Sequence, residues 1–69
     1  MNAGDIVHTR DGSTFRIGRG AELWRASRRN DAAGNWTPYL VHAELDRLER
    51  RLVQLHGPIV ATEDELPLE

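Results

Sequence analysis

The sequence predicts an α+β fold: an antiparallel meander of three or four strands, followed by one amphipathic helix packed on one face of the sheet. Short β-branched and aromatic runs separated by glycine-containing turns occupy the first half of the chain. Leucines spaced three and four residues apart occupy the second half. Because 69 residues suffice for one domain, we expect a single α+β domain over 1–60 and an acidic, mobile tail over 61–69.

The first two predicted strands, 5–10 and 13–19, form a hairpin. Asp11-Gly12 lies between them, and this dipeptide favours a tight turn because both positions tolerate a positive φ. Side chains alternate across a strand, so Phe15 and Ile17 share one face of the second strand. We expect that face to point toward the helix.

The third predicted strand, 22–29, repeats the alternation. Trp24 and Ala26 fall on one face and Arg25 on the other. The polar segment "NDAAGN" that follows contains glycine and is typical of a hairpin loop. Trp24 is therefore expected in the core, and Arg25 is expected on the outer surface.

The segment 36–41 has two interpretations. It forms a fourth strand with Pro38 on an exposed edge, or it starts the helix with Thr37 as N-cap, Pro38 as the first helical residue and Trp36 packed onto Val41. We favour the strand because tryptophan and tyrosine suit strands.

The helix is predicted over 42–56 and ends at Gly57-Pro58, the order expected at a helix C-terminus. Its apolar stripe consists of Leu45, Leu48, Leu52 and Leu55, extended backward by Val41. This stripe predicts the packing surface toward the sheet and could alternatively support a homodimer. Ile59 and Val60 can fold back onto the same core.

The charge is distributed unevenly along the chain. All nine basic residues are arginines, and cysteine is absent, which excludes disulfides, thiolate chemistry and lysine Schiff bases. The chain has a net charge of −2, and its acidic end contrasts with an arginine-rich body. Arginine without lysine indicates a GC-rich bacterial or viral coding sequence. With no signal peptide or apolar span in the sequence, we expect a cytoplasmic protein of a bacterial cell without membrane contact.

Candidate catalytic and metal-binding residues do not form recognisable motifs. His8, His42 and His56 are not spaced like zinc ligands on a helix. Ser13 and Ser27 lack the G-x-S-x-G frame of a nucleophile elbow. We therefore expect no enzymatic activity, no cofactor and no metal.

Charged surfaces remain as functional candidates. Arginines on the outer sheet face suit a phosphate-binding footprint because the guanidinium is a bidentate donor, whereas an ordinary solvated surface is the alternative. An acidic tail suits contact with a basic groove. The candidate binding residues are Arg10, Arg16, Arg25, Arg28, Arg29, Glu63, Asp64 and Glu65.

The stretch "FRIGRGAELWRASRR", with arginine and tryptophan on strands before a helix, resembles in layout the plant ethylene-response-factor type of DNA-binding domain and the N-terminal domains of phage integrases. The resemblance implies a three-stranded sheet lying in the major groove. No contact residue is carried over, because the diagnostic pattern of those families is absent. Direct DNA binding through the arginine-rich sheet face is the alternative functional hypothesis.

The size, the missing catalytic motifs and the segregated charge resemble the small inhibitors of phages and mobile elements, of which anti-CRISPR proteins are an example. This resemblance implies a non-enzymatic binding protein that blocks a nucleic-acid-handling complex. It is the leading functional hypothesis, with a protein or a protein–nucleic-acid complex as partner. The sequence leaves open whether the chain is a monomer or a homodimer.

Overall fold

The computed structural model describes residues 1–30 and 32–64. These residues form a five-stranded antiparallel sheet and one helix. The elements in chain order are β1 (Asp5–Thr9), β2 (Thr14–Arg19), β3 (Trp24–Asn30), β4 (Asn35–His42), α1 (Leu45–His56) and β5 (Ile59–Asp64). The α+β meander that the sequence predicts is confirmed.

The helix connects the two edges of the sheet. The strand order is β4-β3-β2-β1-β5. The helix α1 therefore connects β4, at one edge of the sheet, to β5 at the opposite edge. It contacts β4 and β3 on the way. The sheet therefore has a covered face, whose residues Val7, Phe15, Ile17 and Ala26 pack with the helix, and an open face on the other side.

The core lies between the covered face and two residues of the helix. Leu48 and Leu52 are buried with the four strand residues, each at most 1% exposed. The backbone register aligns the strand residues, because Val7 lies opposite Phe15 and Ile17 lies opposite Ala26. Burial of each large apolar side chain contributes about 1.5–3 kcal/mol, so these few residues supply much of the stability of so short a chain.

Residues 36–41 form a strand, and the helix-start interpretation is wrong. Val41 and His42 pair with Arg25 and Trp24 across β3, and the helix begins at Leu45 instead of residue 42. Val41 does not extend the leucine stripe, since strand pairing holds its backbone and leaves the residue 56% exposed.

Two other residues of the expected core lie at its margin. Trp24 is half-buried and packs against the core from the end of β3. Leu55 is 45% exposed, because the stripe is centred on Leu48 and Leu52 and Leu55 falls on the flank of the helix. The helix therefore covers the sheet with a narrower stripe than the leucine spacing predicts.

A fifth strand occupies the start of the expected tail. Residues 59–64 pair with β1, with Ile59 opposite Thr9 and Thr62 opposite Val7. β1 would otherwise be an edge strand with unpaired backbone groups, and a β-branched segment emerging from the helix satisfies them. Residues 61–64 thus belong to the sheet, while 65–69 lie outside the described residues.

Candidate anion-binding face of the sheet

The open face carries the arginines that strand alternation predicts to point outward. Because Ile17 and Ala26 are buried on the covered face, their neighbours Arg16 and Arg25 point the other way. Both arginines are exposed. Cross-strand pairing adds further residues, so the open-face cluster consists of Arg16, Arg25, Ser27, Arg29 and Trp36.

A depression of about 320 Å³ lies within this cluster. Its lining residues are Arg16, Gly18, Arg19, Arg25, Ser27 and Trp36. Gly18 and Ser27 have small side chains, and a Cβ built on Gly18 would meet no atom within 4 Å. The depression therefore lies over small residues with guanidinium groups around it, and no carboxylate lines it among the residues that the structure describes.

Trp36 adds an aromatic surface to the open-face cluster. It lies opposite Arg29 in the register, and the Arg29 guanidinium carbon is 5.7 Å from the centre of its ring. This distance permits a cation–π contact. An indole beside guanidinium groups can present a π-face to a ligand while the cations bind its anionic groups.

Two arginines of the predicted binding set lie elsewhere. Arg28 is opposite Phe15 and hence on the covered side, where its Nη2 donates to Ser13 Oγ at 3.5 Å and its guanidinium lies 5.7 Å from the ring centre of Tyr39. Arg10 lies in the β1–β2 turn, and its backbone N–H donates to the Pro58 carbonyl at 3.0 Å. Neither contributes to the open-face cluster.

Two of the predicted acidic residues, Glu63 and Asp64, belong to the edge strand β5. Glu63 in β5 approaches His8 in β1, with 2.5 Å between Glu63 Oε2 and His8 Nε2. Asp64 ends β5 opposite Asp5, and Glu65 lies outside the described residues. Ile6 of β1 pairs with both Arg16 and Glu63, so Glu63 lies on the same face as the open-face cluster, two strands away from Arg16.

The sequence patterns do not predict a polar cluster that the structure forms around His56, which we call the His56 cluster. His56 Nδ1 is 2.7 Å from Asp11 Oδ2, and its Nε2 is 2.7 Å from the Tyr39 hydroxyl oxygen. The His56 side chain is 9% exposed. Thr9 Oγ1 donates to Asp11 Oδ1 at 2.6 Å, and this bond, followed by the contact with His56, holds the pKa of Asp11 well below its usual range.

The His56 cluster joins serine, histidine and aspartate without the geometry of a nucleophilic relay. Ser13 Oγ lies 3.5 Å from His56 Nδ1, the same nitrogen that Asp11 contacts. A catalytic triad places the nucleophile and the carboxylate on opposite ring nitrogens. The arrangement instead ties the end of α1 to the β1–β2 turn. Local sequence patterns do not indicate the His56 cluster, because 45 residues separate Asp11 from His56. The path of the helix across the sheet brings the two residues together.

Within residues 1–30 and 32–64, no three histidine, cysteine or acidic side chains gather as metal ligands. The described helix is too short and too polar to cross a membrane. No family model, curated protein or solved structure matches the chain significantly.

Proposed function

We propose that this chain is a non-enzymatic binding protein that contacts the phosphate groups of a nucleic acid through the open-face cluster. The observation that carries the proposal is the depression where Arg16, Arg25 and Trp36 meet, with no carboxylate among the described residues of its lining. Guanidinium groups bind phosphate oxygens in bidentate pairs. An aromatic ring at the same place can contact a sugar or a base.

Arg25 is the residue that best reports on this function. It is the second residue of β3, a strand flanked by β2 and β4, and it is exposed on the face away from the helix. Removing its guanidinium should therefore change binding without changing the core. Arg10 is a matched control, because it is an exposed arginine in a turn outside the open-face cluster.

The experiment measures fluorescence anisotropy of labelled DNA, single-stranded and duplex, between about 50 and about 200 mM salt. Arg25→Ala is expected to weaken binding about tenfold and to lower the slope of log K against log salt by about 0.7–0.9, as the loss of one phosphate contact predicts. Arg10→Ala should bind like the parent. Absence of binding at low salt, or equal loss in both variants, would overturn the proposal.

Inhibition of a nucleic-acid-handling complex is a second candidate function. The position of Glu63 favours it, since this exposed residue lies on the edge strand β5, which carries no arginine. A carboxylate-bearing edge can occupy a basic nucleic-acid groove of a partner. A nuclease-treated pull-down of the full chain should then recover one stoichiometric partner that Glu63→Gln loses and Arg25→Ala retains. Recovery of none would contradict this function.

A further inference from the structure

A second basic groove lies between β4 and α1, at the edge of the sheet nearest the open-face cluster. It has a volume of about 340 Å³. We call it the helix groove, and its charged and polar lining consists of His42, Arg47, Arg50, Arg51 and Gln54. Three arginines thus converge on one groove, and within residues 1–30 and 32–64 no carboxylate lines it.

Helical spacing places the arginines toward β4 and the acids elsewhere. Arg47 and Arg51 are four residues apart and share one flank of the helix. Asp46 and Glu49 line a different depression together with Arg50 and Val53, so Arg50 borders both depressions. Arg47 and Arg51 therefore make the flank of the helix that faces β4 basic, whereas the two acids lie on another flank beside Arg50.

The arginines of the helix groove are exposed donors with exchangeable partners. Arg47 Nε lies 3.6 Å from Glu44 Oε1, and both side chains are more than three-fifths exposed, so this ion pair stabilises the fold little. Arg51 Nη1 donates to Gln54 Oε1 at 3.4 Å. His42 Nδ1 accepts from the backbone N–H of Glu44 at 3.2 Å, which assigns the proton of a neutral ring to Nε2.

One residue connects the helix groove with the open face. Val41 lies directly opposite Arg25 in the sheet register and also lines the helix groove. It is 56% exposed. The two basic surfaces therefore meet at the β4 edge, and an exposed apolar side chain separates them.

We infer that the nucleic acid bound by this protein is single-stranded, and that its backbone runs from the open face over Val41 into the helix groove. The inference rests on the proposed function. A duplex has a persistence length of about 150 base pairs, so bending it round one edge of a molecule whose largest extent is 29 Å has a large elastic cost. A single strand turns within a few nucleotides, and Trp36 offers one of its bases a stacking surface.

The test compares labelled oligodeoxythymidines of about 4 and about 16 nucleotides, the range of site sizes for compact single-strand binders. The longer strand should bind more tightly, because it alone reaches both surfaces. Arg51→Ala should weaken the longer strand about tenfold and leave the shorter one unchanged. Arg25→Ala should weaken both strands, and Arg10→Ala neither.

The double variant Arg50→Ala/Arg51→Ala provides a second measurement of the same groove and should reduce binding of the longer strand further. Both residues are exposed, and thermal unfolding confirms that the variants are folded. If no oligonucleotide binds, the proposed function itself fails. If Arg25-dependent binding persists but both groove variants bind the longer strand like the parent, or if a duplex of equal length binds more tightly, the inference is overturned while the proposed function stands.

Discussion

The covered and open faces of the sheet are built by the same strands and differ in what each alternate residue contributes. In β2, Phe15 and Ile17 are at most 1% exposed, whereas Arg16 between them is exposed on the other side. In β3, buried Ala26 separates Arg25 from Ser27. The covered face thus forms the core. The side chains of the open face are available for contacts with a ligand, because they do not take part in the core.

Few residues of the helix cover the covered face of the sheet. Ala26 is a small residue under the helix, and it permits close approach where a larger side chain would hold the helix away. Leu48 and Leu52 are the two buried residues of α1. The end of the helix is held by the His56 cluster and by the turn at Gly57. Stability should therefore depend on the covered face and these anchors, with little contribution from the open face.

Leu52→Ala should produce the largest effect on stability. The side chain is fully buried, and its truncation should lower the free energy of unfolding by about 2–5 kcal/mol through lost burial and a residual cavity. A domain of this size has roughly 3–10 kcal/mol in total. Urea unfolding followed by tryptophan fluorescence measures the change.

Two matched variants sharpen this contrast. Leu55→Ala removes the same atoms from a residue that is 45% exposed, and Arg25→Ala alters the open face. Both should change the unfolding free energy by less than about 1 kcal/mol. A cost for Arg25→Ala comparable to that of Leu52→Ala would show that the open face supports the fold.

Gly57→Ala should have an intermediate effect, because it strains the turn that leads from the helix to β5. Gly57 has φ 88° and ψ 178°, a combination that costs other residues about 1–3 kcal/mol. A Cβ there would also lie 3.4 Å from Arg10 Cβ. Chemical denaturation should show this loss. Gly18→Ala, in a strand with open space around it, should be neutral or stabilising, and an equal loss would contradict the assignment of strain.

Asp11→Asn should have a smaller effect that depends on pH. Since the pKa of Asp11 is lowered in the folded state, its ionised form stabilises the fold above the ordinary pKa of 3.8, and this contribution is lost as the pH falls further. The parent should therefore be more stable than Asp11→Asn at neutral pH, and the difference should shrink below about pH 4. Thermal unfolding between neutral pH and about pH 2 measures it.

The control for Asp11→Asn is Glu49→Gln, which neutralises an exposed carboxylate on the helix. Its unfolding midpoint should follow that of the parent across the same pH range. A difference between the parent and Asp11→Asn that stays constant down to the lowest pH would contradict the role of the Asp11 carboxylate.

Local patterns predicted much of the fold and of the open-face cluster. The alternation in "TFRIG" and "WRAS" placed Phe15 and Ile17 inward and Arg16 and Arg25 outward, because a strand separates consecutive side chains whatever its neighbours are. For Trp36 the sequence supports two interpretations, a strand residue or a residue packed at the start of the helix. Its place beside Arg29 depends on the β3–β4 register, which no pattern within a single strand specifies.

Longer-range features lay beyond the sequence patterns. Residues 61–64 are expected in an acidic tail because their charge is typical of a solvated segment, yet they form the second part of β5 and pair with β1. The His56 cluster joins a turn near the start of the chain to the end of the helix. The sequence of the turn is typical of a hairpin, and the sequence at the end of α1 is typical of a helix C-terminus. Neither pattern indicates that the two segments are in contact.

By itself, the sequence determined the α+β class, the first strands and the division of their side chains, since these follow from short-range periodicity and turn chemistry. Tertiary structure decided where α1 crosses, and with it the fifth strand, the His56 cluster and the meeting of the helix arginines with β4. These arrangements depend on contacts between segments that are tens of residues apart in the sequence. Their free energies come from burial and backbone pairing that exist only once the sheet and helix are assembled.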